Sequence, residues 1–202
     1  MKGIRDFDPA KVGRYETENW VAYYQKRWLK LLSVSVAMVR ESFSLSPLQA
    51  AYAAYLVARA EMAAAPFPDN DIPRAEAYMR RFYALIKRLH GEDLDVERVA
   101  RLEVNWWVVH RQVFGRTENQ ALVEALTELY AATYGVPPGE VRPAAALRAE
   151  AMIYSDRWVN EGRASGSPLL AQVEDALVRS YAALRAAVAR RMAAVPAAGS
   201  GS

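Results

Sequence analysis

The chain contains no cysteine, only two histidines, and five lysines against twenty-one arginines. The missing thiols exclude disulfides, thiolate metal sites and cysteine nucleophiles. No Glu-x-x-His pair occurs, so the ligand set of carboxylate-bridged di-iron bundles is missing as well. A mononuclear site built from His110, His90 and Glu103, with Glu174 as a further candidate, stays open but has few inward ligands, so no metal is assigned and the cofactor is unknown. Glycines are scattered, with no phosphate loop or dinucleotide fingerprint, and there is no Gly-x-Ser-x-Gly elbow. Asp69-Asn70-Asp71 matches only the opening of a calcium loop and reads as a capping turn.

Long apolar runs are also lacking. The strongest, 31–39 and 50–58, fall short of the roughly 20 residues that a membrane span requires. The opening MKGIRDFDPAKVGRY is charged and has no apolar segment of the secretory kind. The expectation is a soluble, cytoplasmic protein with no integral membrane segment. Net charge is +3, and the arginines are spread along the chain without a basic stripe interleaved with aromatics. No nucleic-acid partner is therefore expected.

What the chain has in quantity is helical periodicity. Hydrophobic residues make up 52% against 24% charged, a balance that supports one folded core in 202 residues. The reading is all-α, a single-domain bundle of about seven helices. An N-terminal arm covers 1–16, the bundle 17–195, and a disordered, linker-like tail 196–202. The helices are placed at 17–43, 47–64, 73–90, 96–114, 118–134, 139–161 and 168–195. Ser46-Pro47, Asp71 with Pro73, and Asp93 or Asp95 provide start signals, and Gly91, Gly115 and Gly135 provide stops. The helix at 47–64 is apolar on nearly all sides and is expected at the centre of the bundle.

The segment 96–114, VERVARLEVNWWVVHRQVF, carries the sharpest signal. At 100° per residue its apolar residues share one face, with Glu103 and His110 in the middle of that face and the Trp106-Trp107 pair between them. A carboxylate and an imidazole directed into a core need partners, because unpaired buried charge is costly. Arg27, Arg59, Arg148 and His90 fall on the apolar faces of other helices, along with Tyr24 and Tyr52. Arginine suits such a role because its planar guanidinium can meet a carboxylate with two hydrogen bonds.

Two functional expectations follow. In the first, a semi-buried polar pocket in the bundle binds a small aromatic or acidic organic molecule. Glu103 and His110 would be its acid–base pair, and Trp106, Trp107, Arg27, Arg59, Arg148, Tyr24, Tyr52 and His90 would be its ligand-binding residues. In the second, the buried charges are structural salt bridges of a non-catalytic interaction or scaffolding protein. That protein would form a homodimer through the alanine-rich face Ala50, Ala54 and Ala58, or through the end of the last helix.

Overall fold

A computed structural model describes residues 3–66 and 68–194, and among these residues there are eight helices and no strand. They are α1 (Pro9–Tyr24), α2 (Trp28–Phe43), α3 (Pro47–Ala64), α4 (Ile72–His90), α5 (Val96–Val113), α6 (Gln120–Tyr134), α7 (Pro138–Asn160) and α8 (Pro168–Ala194). The expected tail at 196–202 lies outside the described residues. No helix is long and apolar enough to cross a membrane among the described residues.

Eight helices replace the expected seven because 17–43 is not continuous. Gln25 caps α1, and Lys26 takes a left-handed conformation at φ 58°. Nothing in Gln25-Lys26-Arg27 is a strong breaker, so the break carries no sequence signal. It turns α2 relative to α1 and leaves Arg27 exposed rather than on the core face beside Trp20. Nor does an arm extend to residue 16. The Asp8 side chain accepts from the Ala10 and Lys11 amides, and Pro9 supplies the first-turn residue, so α1 starts there. The preceding turn inserts Ile4 and Phe7 into the core, 0% and 2% exposed.

Other helix limits follow their caps. The Ser46 side chain accepts from the Gln49 amide while the Gln49 side chain accepts from the Ser46 amide, a closed capping box. Asp71 and Asp95 accept from Arg74 and Arg98 amides at the starts of α4 and α5. Gly91 and Gly135 end α4 and α6 with φ near +65°, a conformation that costs glycine little.

Short connectors make consecutive helices antiparallel neighbours. Each helix packs chiefly on the two adjacent in sequence, and α8 packs on α1, so the bundle is a closed ring. The closing seam is tight at Gly13, where an added Cβ would stand 2.8 Å from the Val178 backbone nitrogen. Position α3 is part of the ring, not its centre. Its Ala50, Ala53 and Ala54 are buried while Leu48, Tyr52 and Tyr55 face solvent.

Candidate functional site

Alternation of direction brings the last turns of α1, α3, α5 and α7 and the first turns of α2, α4, α6 and α8 to one end of the ring. At the opposite end the N-terminal segment closes over the core through Ile4 and Phe7. There Phe7 meets Tyr134 and Tyr181 with ring centroids 6.4 and 6.0 Å apart, and Arg5 bonds Glu92 at 2.5 Å.

Between the two ends lies a buried polar layer. Arg148 of α7 reaches Glu16 of α1 through Nη2 at 2.6 Å and Nε at 3.2 Å, both on Oε1. The Tyr181 hydroxyl donates to the other oxygen, Oε2, at 2.5 Å. The Arg148 guanidinium also lies 4.8 Å from the Trp106 ring centroid, a cation–π distance. Trp106 Nε1 donates to Glu103 Oε1 at 2.8 Å, and the Tyr83 hydroxyl donates to Oε2 at 2.5 Å. Burial and then the Glu103 carboxylate hold the Tyr83 phenol well above its ordinary range. Burial alone would lower Arg148, but the Glu16 carboxylate holds its pKa above the ordinary value. The layer is thus a chain of bonded groups, Glu16–Arg148–Trp106–Glu103–Tyr83.

Above this layer the end of the ring is open in that core-facing stripes reach solvent. Trp28, Leu32, Val36, Val39 and Phe43 share one stripe of α2 by helical spacing. Val39 is buried and Phe43 packs on Phe82 at 5.2 Å, but Trp28 and Leu32 are 59% and 60% exposed. The core stripe of α3 runs Ala50, Ala54, Val57, Glu61 and Ala64, and Glu61 on that stripe has solvent access. Desolvation first, and the nearby Glu103 carboxylate second, push the Glu61 carboxyl up to about 7. On α5 the inward stripe continues past Glu103 to Trp107, His110 and Phe114, all with some solvent access. Three core-facing stripes therefore emerge into water at the same end.

The chain matches no protein-family model, no curated protein and no solved structure.

His110 stands at the rim of this opening. Its Nε2 lies 3.1 Å from Asp156 Oδ1, and the second oxygen, Oδ2, accepts the Gly115 amide at 2.9 Å. Asp156 is 3% exposed, so the imidazole is oriented by a fixed, buried carboxylate. Tyr24 packs on Trp158 at 6.2 Å, and burial followed by the Asp156 charge raises its phenol to about 12.

The expected site residues divide into separate groups. Glu103, Trp106 and Arg148 belong to the polar layer, but Glu103 is bonded by Tyr83 and Trp106, and Arg148 by Glu16. Trp107, His110 and Tyr24 belong to the open end. Tyr52 and Arg59 do not point inward: α3 turns them outward, where Arg59 Nη1 donates to the Tyr55 hydroxyl at 3.0 Å. Arg27 and Glu174 line a shallow outer cleft of about 520 Å³ between α1 and α8. His90 lies at the closed end, on a cleft of about 900 Å³ with Asp6, Arg40 and Glu41, and its buried Nε2 has no hydrogen-bond partner. No group of three or more His, Asp or Glu suited to a metal occurs among the described residues.

Glu16, Glu61, Tyr83 and Asp156 were not singled out from the sequence. Asp156 was accessible: it lies eight residues after Arg148 and four after Met152, on the same helical face. Glu16 becomes visible once α1 is started at Pro9, because it then falls in line with Val12 and Gly13.

Proposed function

We propose that the open end of the ring is a receptor site for a small organic molecule with an apolar or aromatic body, carried by a single-domain cytoplasmic bundle. The observation supporting this reading is the exposure of Trp28, Leu32 and Glu61 on stripes whose other halves form the core. Apolar surface left wet on a core-facing stripe is favourable to cover.

The charge of the ligand is the opposite of the sequence expectation. Arg148 is neutralised by Glu16, so it offers little to an acid. Glu103 and Trp106 are already engaged by Tyr83 and Arg148, but Glu61 has no cation within 4.0 Å among the described residues and, like Trp28 and Trp107, reaches solvent. Aromatic faces with a carboxylate suit an amine. Within this reading His110, backed by Asp156, is the group positioned to accept or release a proton.

Thermal shift with a hydrophobic arylalkylamine, and with the carboxylic acid of matched shape, tests the reading. The amine is expected to raise Tm, with loss of that effect in Glu61→Gln and Leu32→Ala. A shift with neither compound removes the receptor reading; a shift with the acid alone removes its charge assignment.

The structural role favoured by the closed Glu16–Arg148 pair remains the second reading, as an oligomeric scaffold. Its alanine-rich contact is unsuitable, since Ala50 and Ala54 already lie in the core. Sedimentation equilibrium tests it: a dimer supports that reading and a monomer at all concentrations removes it.

A further inference from the structure

The outer side of the α3–α4 pair bears a different surface. Leu48, Tyr52, Tyr55, Arg59 and Met62 are spaced by four, three, four and three, which aligns them along α3. Leu48 and Met62, at the two ends, are 86% and 68% exposed. Arg74, Arg81 and Arg88 recur every seven residues along α4. The seam between the helices is organised by Tyr78, with Arg59 and Arg81 over its ring at 5.1 and 5.9 Å, while Arg81 Nη2 also donates to the Tyr52 hydroxyl at 3.1 Å. Tyr52 and Tyr55 stack at 6.4 Å with 19° between planes.

Along the two helices this face has cations and no anions, and the N-cap Asp71 stands at its Arg74 end. The only carboxylates within α3 and α4 are Glu61, on the inward stripe, and Glu76, which lies 3.8 Å from Arg80. Among the described residues no carboxylate stands within 4.0 Å of Arg59, Arg74, Arg81 or Arg88. Tyrosine, methionine and arginine are the residues enriched where proteins meet, and a fixed aromatic–guanidinium seam loses little side-chain freedom on binding.

We infer that this face docks an acidic amphipathic helix of another protein. The apolar stripe and the arginine stripe each extend about 21 Å, the length of roughly four helical turns. One would take the apolar face of the incoming helix, the other its acidic flank. A second copy of the same face would oppose arginine to arginine, which is repulsive. Leu48 and Met62 favour a protein over a nucleic acid, whose bases and phosphates have no use for aliphatic ends.

Fluorescence anisotropy at about 0.15 M salt tests the inference with three labelled probes. These are an amphipathic peptide of about 15 residues with Leu on one face and Glu elsewhere, the same peptide with Lys for Glu, and an oligothymidylate. The acidic peptide is expected to bind at least about tenfold more tightly than the basic one, a difference of about 1.4 kcal/mol, and to weaken as salt rises. Arg81→Glu with Arg88→Glu, and separately Leu48→Glu, are each expected to weaken it by a similar factor while circular dichroism stays unchanged. These residues lie at the surface, so the fold is retained. Equal binding of the two peptides, indifference to both variants, or binding of the oligothymidylate alone overturns the inference.

Discussion

The two ends of the ring are built from the same kinds of residue and reach opposite outcomes. At the closed end, Ile4 and Phe7 fold back into the bundle and are buried, with a cleft of about 900 Å³ beside them at His90. At the open end no segment among the described residues performs that service, and Trp28 and Leu32 meet water on the same stripe that carries Val39. Amphipathic spacing therefore specifies which way a side chain points, but not whether anything lies in front of it. A wet residue on a core-facing stripe marks an opening, and this molecule has three such stripes ending together.

Four measurements sharpen that contrast. The largest effect is expected in the polar layer that separates the ends. Arg148→Met leaves Glu16, 3% exposed, without its cation and should cost about 3–5 kcal/mol in denaturant unfolding. At the closed end, Ile4→Ala should cost about 2–5 kcal/mol, because Ile4 is fully buried and its removal leaves a cavity. At the open end, Leu32→Ala should change stability by about 0.5 kcal/mol or less. Equal losses for Ile4→Ala and Leu32→Ala would erase the distinction between the ends.

The fourth effect is confined to a window of pH. The Glu61 carboxyl keeps its proton to about 7 in the folded protein, against an ordinary 4.5. The folded chain then binds more protons than the unfolded one between those values, so stability falls as pH rises from about 4.5 to about 7. Glu61→Gln should flatten that part of the stability profile, and an unchanged slope would remove the Glu61–Glu103 coupling from the account.

Much of the fold was legible because local chemistry specifies it. Ser46-Pro47, Asp71, Asp95, Gly91 and Gly135 are caps whose effect does not depend on distant partners, and each ends or starts a helix as expected. The same signal at Asp8-Pro9 was obscured by the charged residues around it. The interruption at Lys26 had no glycine or proline to announce it. For the site, periodicity was enough to place Glu103 and His110 on the inward face of α5. It could not supply their partners, because Tyr83, Asp156 and Glu61 approach from other helices and pairing across a ring is a property of the closed structure. Arg59 and Tyr52 were misdirected for a related reason. A helix that is apolar on every side has no periodicity from which to choose an inner face, and for α3 the small alanines took the interior.

The wiring of the ring has a consequence for how the chain folds. Most of its helix seams join neighbours in sequence, so they can form locally with little loss of loop entropy. The α1–α8 seam is the exception, since Gly13 and Val178 must find each other across nearly the whole chain. Zipping from hairpin to hairpin can precede it, but the circle is completed only when that last junction clicks shut, and a side chain at position 13 would obstruct the latch.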